Sequence, residues 1–521
     1  MVLGTIDIWV AVAYAVVIFS LAQWVSRERV GHSKDTSDYF LAGRSLPWWA
    51  IGASLIAANI SAEQIIGMSG SAYVMGLAIA SYEWMAAITL ILVGKYFLPI
   101  FLKHEIYTMP QYLEQRYDSR VRIVMAIFWL GVYVLVNLTS ILWLGALAIN
   151  SITGVDITTA LLALGIFTGG YSLYGGLKAV AFTDIIQVIL LVAGGLMISW
   201  ITLDQISGGG GAIAGFNELI NQVPEKFDMI LSRDNPNYMS LPGISVLVGG
   251  MWVMNLSYWG FNQYIIQRAL AAKSIREAQL GILFAAFLKL LMPVLVVLPG
   301  IAAVVLMPDL SAPDQAYPEM MKLLPVGIKG IVFAALIAAI ISSLASMTNS
   351  ISTIFTIDLF SHISKKEHSQ KQLVTIGRVV SLVSLGFAMI VAKPLLGSFD
   401  QAFQYIQEFT GFFTPGIVVI FLLGMFWKKT TATAALLAAL GSALLSLVFK
   451  ILWPELPFID RVGLVFLLCA AIGVAVSLAK PEPLSASAVD VSEVDFSTTA
   501  TFNIASLATV LVLSGFYIIW W

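Results

Sequence analysis

The sequence predicts an all-α membrane protein of about fourteen spans, ten of them forming two five-helix blocks of opposite membrane orientation. Three observations predict it. First, 59% of the 521 residues are hydrophobic and only 11% are charged, where ordinary soluble domains are about a quarter charged. Second, the loops between the apolar runs differ sharply in basic content. Third, polar residues interrupt two of those runs: Trp48 to Met68 at Ala57-Ala58-Asn59-Ile60-Ser61-Ala62-Glu63-Gln64, and a later one at Met254-Asn255-Leu256-Ser257-Tyr258-Trp259-Gly260-Phe261-Asn262-Gln263. A bilayer offers no water to polar groups, so such breaks persist only where they line a protected cavity. Paired breaks in corresponding halves point to the midplane site of a secondary transporter.

At about twenty apolar residues per span, the expected helices run over 6–25, 46–68, 74–102, 121–149, 157–174, 180–203, 243–264, 278–307, 327–357, 373–392, 399–427, 431–452, 462–479 and 502–521. The first 25 residues hold no Lys or Arg and no clear small-x-small cleavage site, while Arg27 and Arg29 follow the apolar stretch. That order reverses a secretory signal and suits a retained span with its N-terminus outside. With that orientation, nineteen of the 28 Lys and Arg fall on inside segments and seven outside, with Lys95 and Lys289 inside spans. The positive-inside rule therefore supports fourteen spans with both termini outside.

Spans two to six and seven to eleven make two blocks. An odd number of helices per block turns the second upside down relative to the first, giving an inverted repeat. The boundaries follow: 1–45 a preceding helix and inside loop, 46–203 the first repeat, 204–242 an outside loop, 243–427 the second repeat, and 428–521 three additional helices. Asn59-Ile60-Ser61 and Asn255-Leu256-Ser257 both fall in the first helix of their block. The run Ser207-Gly208-Gly209-Gly210-Gly211 lacks the Gly-Lys-Ser/Thr ending and preceding strand of a phosphate loop, so it reads as outside loop. Lys480 to Thr499, rich in Ser, Pro, Asp and Glu, reads as an inside linker. The single cysteine, Cys469, lies in an apolar run, which leaves no intrachain disulfide or cysteine metal site. A net charge of −2 implies no nucleic-acid partner.

The costly residues in or near the membrane are few: Asn59, Gln64, Glu83, Asp184, Asn255, Lys289, Gln407 and Glu408. A charge at a helix centre costs roughly 2.5–3.5 kcal/mol on insertion scales, so its default reading is functional. Two alternatives stand beside that: Glu83 and Lys289 as a structural ion pair, and Gln407 as the cap of a helix bend. Glu63 and Glu408 each adjoin a better-placed glutamine, and adjacent helical residues point about 100° apart, so both are placed outside the expected site. The mixture of donors and acceptors suits a neutral polyhydroxylated ligand, with Tyr82, Trp84, Tyr258, Trp259 and Phe403 near enough in sequence to stack on a sugar ring. An amino acid, which needs a helix N-terminus and an acidic partner, is the less favoured substrate. Span nine carries Ala339-Ile340-Ile341-Ser342-Ser343-Leu344-Ala345-Ser346, a small-residue face common in helix packing. Beside an unwound segment, its hydroxyls and free carbonyls make an oxygen cage without a titratable ligand, which favours Na⁺ over H⁺.

Phe40-Leu41-Ala42-Gly43-Arg44-Ser45-Leu46-Pro47-Trp48-Trp49, followed by the first break, resembles the sodium/solute symporter family, as does Tyr171-Ser172-Leu173-Tyr174-Gly175-Gly176-Leu177 running on to Asp184. The likeness is strongest to its galactose- and glucose-carrying members and extends from the first span to the last. It implies the leucine-transporter-like five-plus-five inverted repeat with broken first helices. By motif it places the sugar site at Asn59, Gln64, Glu83, Asn255, Lys289 and Gln407, with Tyr258 as inner gate and Met68, Tyr82 and Phe403 as outer gate. It places sodium on the carbonyls of Ala57, Ile60 and Ala339 and the hydroxyls of Ser342 and Ser343, with Asp184 on the ion's inward exit. One departure is Ala86, where the family pattern implies a serine sugar contact, so the choice between galactose and glucose is left open.

The expected function is sodium-coupled hexose import by alternating access across a bacterial inner membrane, with Na⁺, hexose and lipid as partners and no organic cofactor. Rival readings are the same machine carrying an anionic sugar, inositol or an amino acid, or a sugar sensor without coupled transport. An enzyme is disfavoured, since no nucleophile–base pair or metal-ligand cluster stands out.

Overall fold

The computed structural model describes residues 3–25, 44–364, 368–397, 401–483 and 491–521, except for the side chains of a few residues inside helices. Arg27, Arg29, Lys34 and Phe40 to Gly43, the start of the first motif, lie outside the described residues, as do Lys365, Lys366 and 484–490 of the expected linker. The side chains of Ser172 to Leu177 in the second motif lie outside them too.

Among the described residues the regular elements are helical, and the only β-type contact is an isolated bridge between Leu46 and Ala272. They run α1 (Thr5–Val25), α2 (Trp48–Asn59), α3 (Met68–Met75), α4 (Ser81–Leu92), α5 (Met109–Arg116), α6 (Ser119–Val132), α7 (Thr139–Thr153) and α8 (Ile157–Ile206). After an intervening segment come α9 (Gly250–Leu256), α10 (Gln263–Leu270), α11 (Ile275–Met292), α12 (Ile328–Thr353) and α13 (Gln370–Leu396). Last are α14 (Ala402–Thr410), α15 (Thr414–Phe426), α16 (Ala432–Leu452), α17 (Phe458–Ala479) and α18 (Ala500–Ile519). Nine helical stretches among the described residues are long and apolar enough to cross a membrane, or ten if α14 and α15, bent by 45°, are one span.

The expected breaks are present. Helix α2 stops at Asn59, and Ile60 leaves helical geometry at φ −72°, ψ 65°. A tight turn follows, in which the Ser61 amide donates to the Asn59 carbonyl at 2.7 Å, and helix resumes as a wide π turn over Glu63–Gly67. π turns leave carbonyls poorly paired and often mark functional sites. In the second case α9 also widens into a π turn, Ser257–Phe261, but the chain leaves helix only at Asn262 (φ −86°, ψ 117°). The Asn255 side-chain amide, Nδ2, donates to Met251 O at 3.1 Å within its own helix. The two Asn-x-Ser triplets therefore differ: one is the break, the other precedes it by a π turn.

Two turns shape the surroundings. Gly76 sits at φ 71°, with the Lys226 carbonyl only 2.2 Å from where a Cβ would be. Only glycine allows both the positive φ and that approach, and Lys226 Nζ caps the end of α3 on Val74 O at 2.7 Å. Helical backbone runs through the whole of α8, 50 residues, where two spans, 157–174 and 180–203, are expected. The Tyr171 hydroxyl nevertheless lies 2.5 Å from Thr183 Oγ1, although twelve residues of straight helix would separate them by about 18 Å. The helix is therefore bent between them, which divides it into two limbs.

Helices α2, α8, α11 and α12 form the densest packing in the molecule. Two basic residues that follow apolar runs are buried: Arg268, 1% exposed, within this packing, and Arg116, 3% exposed, against the end of α15. Arg116 donates to the carbonyls of Gly424, Trp427 and Thr430 at the end of α15, where a cation complements the negative end of the helix dipole.

Candidate functional site

The first break meets α4, α9, α11 and α14 at a small polar cavity. Lys289 of α11 is fully buried and donates to Asn59 Oδ1 and, at 2.5 Å, to Glu83 Oε2 of α4. Gln64 Nε2 donates to Glu83 Oε1 at 2.8 Å. Asn59 Nδ2 donates to the Tyr258 hydroxyl at 3.2 Å. A buried cation survives only with such pairing, because desolvating it alone costs several kcal/mol. The Lys289 ammonium also lies 4.9 Å from the Trp259 ring centre, within cation–π range.

The cavity wall comprises Asn59, Glu63, Gln64, Tyr82, Glu83, Ala86, Met254, Asn255, Tyr258, Trp259, Phe403 and Gln407. Five of the six expected sugar-site residues and the expected inner gate, Tyr258, are among them, and the sixth, Lys289, stands directly behind. Tyr82 and Phe403 cover one side edge to face, ring centres 5.2 Å apart. The third expected outer-gate residue, Met68, is buried in α3 but is not on the wall. Tyr258 separates this cavity from a second, lined also by Trp129, Tyr133, Asn137, Asn262 and Phe413. The first holds about 60 Å³, room for about two waters at roughly 30 Å³ each. Three buried polar atoms on its wall have no hydrogen-bond partner among the described residues: Glu63 Oε1, Gln64 Oε1 and the Tyr82 hydroxyl. Unpaired buried polar groups cost about 1–3 kcal/mol each, so the site is built to be completed by a ligand rich in donors and acceptors.

Two expectations need correction. Glu63, placed outside the site, lines both cavities, at the start of the π turn that follows the break. Trp84, expected to stack on ligand, instead stacks on Phe516 of α18 with ring centres 4.8 Å apart. Gln407 lies one turn before the α14–α15 bend and lines the cavity wall. Glu408, also placed outside, is occupied by Lys450 at 2.8 Å and Arg461 at 3.0 Å.

A second polar centre lies behind the first break, where α2 crosses α12. The Ser343 hydroxyl reaches the carbonyls of Ala57 and Ala58 at 3.4 and 3.3 Å. The Ala58 carbonyl is also held by the Tyr264 hydroxyl at 2.5 Å, whereas the Ala57 carbonyl has only the long Ser343 contact as a side-chain partner here, and hydroxyl and carbonyl oxygens of this kind are what Na⁺ requires. The Ser342 hydroxyl donates to Asp184 Oδ1, and Ser54 to Asp184 Oδ2 at 2.6 Å. Ala339 is fully buried and Ile60 2% exposed in the same packing. Sequence reading missed Arg268, which links Ser54 (2.9 Å), Ser346 (2.6 Å) and the Tyr264 carbonyl (2.6 Å). It stands four residues past the expected span end, so only the structure reveals that α10 continues helical and buried.

Broken helices meeting at a closed polar cavity, with an oxygen-rich centre beside one break, define a secondary transporter. The chain belongs to the Sodium:solute symporter family, which it matches over residues 39–441. Sodium is the coupling ion of that family. The chain is 49% identical to the sodium/glucose cotransporter of Vibrio parahaemolyticus, covering all of this chain and 99% of that one. It is 33% identical to the human sodium/myo-inositol cotransporter 2, over 86% of this chain and 70% of that one. Its fold matches a substrate-bound, outward-open Na⁺-coupled sialic acid symporter with a TM-score of 0.80 at 24% identity, covering 92% of this chain and 99% of that one.

Proposed function

We propose that the protein imports a hexose, galactose or glucose, driven by the sodium gradient. The observation that carries this is the wall with three polar atoms unpartnered among the described residues, beside a Lys289–Glu83–Asn59–Gln64 network and flanked by aromatic rings. Neutral hydroxyls satisfy donors and acceptors alike without adding charge beside a neutralised ion pair. The near-full-length likeness to a sodium/glucose cotransporter supports the same substrate class. A second reading, myo-inositol, is favoured by the 33–34% identity to sodium/myo-inositol cotransporters, since a cyclohexane polyol offers the same hydroxyl array.

In this reading Asn59, Gln64, Glu83, Asn255, Lys289 and Gln407 hold the sugar. Tyr82 and Phe403, with Met68 behind them, close it from outside, and Tyr258 closes it from inside. The carbonyls of Ala57, Ile60 and Ala339 and the hydroxyls of Ser342 and Ser343 hold Na⁺, with Asp184 on its way inward. Sodium bridging α2 and α12 braces the first break and keeps the outer side open, and sugar then closes Tyr82 over itself. Loss of sodium releases Tyr258 and opens the second cavity. The ten helices from 46–203 and 243–427 act as an inverted repeat within fourteen spans, with both termini outside a bacterial inner membrane. At 100 mV one Na⁺ contributes about 2.3 kcal/mol, which at about 1.4 kcal/mol per decade sustains roughly fifty-fold accumulation.

Proteoliposome uptake of labelled galactose, glucose and myo-inositol, with and without an inward sodium gradient, tests the reading. Sodium-driven accumulation of a hexose with the others competing is the expected result. Binding without accumulation would instead identify a sensor, and accumulation of inositol alone would establish the second reading.

A further inference from the structure

Away from the polar site, α1, both limbs of α8 and α12 enclose an apolar cavity of about 230 Å³. Its wall includes Ile18, Phe167, Phe333 and Ile341, and polar atoms enter it only from Tyr14, Tyr171 and Gln187. The Tyr171 hydroxyl is taken by Thr183 at 2.5 Å. The other two are not: the Tyr14 hydroxyl and Gln187 Oε1 are buried with no hydrogen-bond partner among the described residues, and Gln187 is only 1% exposed. An amide oxygen left unpaired among Ile, Phe and Ala side chains is costly, and apolar burial cannot compensate it. A ligand with an apolar body and one hydroxyl answers both features, since its hydroxyl donates to Gln187 or accepts from Tyr14.

We propose that this cavity binds a small hydroxyl-bearing hydrophobic molecule, a phenol or alcohol, drawn from the bilayer. Its size sets the class. A 150 Å³ apolar cavity accepts benzene, and on that scale 230 Å³ takes about nine non-hydrogen atoms. Phe167 is 44% exposed, so one wall reaches the lipid-facing surface and entry needs no aqueous route. The cavity also adjoins the ion path: Ile341 precedes Ser342, which bonds Asp184, and Gln187 lies one turn beyond Asp184. An occupant wedged between α1 and α12 holds α12 where Ser342 meets Asp184, which slows sodium-driven turnover. This goes beyond the hexose reading and its binding test does not depend on it.

The test uses the full chain in nanodiscs with 4-propylphenol and, lacking the hydroxyl, propylbenzene, followed by saturation-transfer NMR. The same compounds are then added to uptake assays with whichever solute the protein carries. Saturable binding of 4-propylphenol, weakened roughly ten-fold in Gln187→Leu and lost in Ala11→Phe, is expected, with slowed uptake that Ala11→Phe escapes. Ala11 lies on the peripheral α1, and Gln187→Leu keeps side-chain volume, so at least one variant remains folded. Equal affinity for propylbenzene, unchanged binding in Gln187→Leu, or slowing that persists in Ala11→Phe would overturn the proposal. So would the absence of any saturable binding, which would mean that water alone occupies the cavity.

Discussion

Lys289 and Glu83 form an ion pair with both partners at most 1% exposed, and a purely structural pair would look the same in isolation. Removing one partner leaves the other charge buried and unpaired, at about 3–5 kcal/mol, so Lys289→Met alone should unfold or misassemble the protein. Replacing both, Lys289→Met with Glu83→Leu, should restore thermal stability in detergent close to the parent value. Sugar binding should remain lost in that double variant, because the network offered to hydroxyls has gone. Recovery of binding would reduce the pair to packing. Ala86, which faces the cavity, tests substrate choice at the same scale. A serine there restores a hydroxyl, while in its absence water can bridge at small cost. Ala86→Ser is expected to raise the preference for one hexose epimer several-fold in competition uptake, with sodium activation unchanged; no change in either epimer's inhibition constant would place that helix face outside the contact shell. Membrane burial made these residues legible in the sequence, since an ionisable or amide side chain in an apolar run needs a reason. Glu63 was illegible because it opens a π turn, where α-helical spacing does not apply, and Arg268 because a basic residue after an apolar run looks the same whether it enters solvent or turns inward.

At the scale of elements, the first break brings function to α2 and α12 together. The Ser343 hydroxyl touches two carbonyls of the unwinding turn, so a serine in span nine that reads equally as helix packing acquires a second partner set. Ser343→Ala is nearly isosteric and removes one oxygen from the expected cage of five. It should reach the membrane at normal levels yet require several-fold more sodium for half-maximal uptake, with accumulation greatly reduced. Unchanged sodium activation would return the serine to packing. The breaks themselves were visible as polar interruptions, but their exact sites were not. Asn59-Ile60-Ser61 unwinds where the triplet stands, whereas the second break waits until Asn262, since five residues of π turn absorb the strain first. The bend within α8 was expected from span length alone. Its detail rests on the Tyr171–Thr183 contact, a pairing that no local pattern announces.

At the scale of the whole molecule, Tyr82 and Phe403 cover one side of the cavity, Tyr258 lies between it and the second cavity, and the space holds about 60 Å³; if these rings are the proposed gates, a hexose enters or leaves only when they move. The second cavity, beyond Tyr258, is similarly small at about 70 Å³ and carries Thr410 on its wall. If alternating access governs the protein, that wall is reachable from the inside only after sodium leaves, because sodium favours the outward-facing state in which Tyr258 stays closed. A ligand shifts such an equilibrium by no more than its differential affinity for the two states, so saturating sodium should change the rate several-fold without abolishing it. Thr410→Cys supplies a reporter, and the native Cys469, fully buried in α17, stays silent. In inside-out vesicles, maleimide labelling of Thr410→Cys should slow several-fold when sodium is added and slow again on adding hexose with sodium, which favours the occluded state. Labelling at one rate under all three conditions would mean that the second cavity is not the inward path, and that the gate at Tyr258 divides two pockets of a static fold.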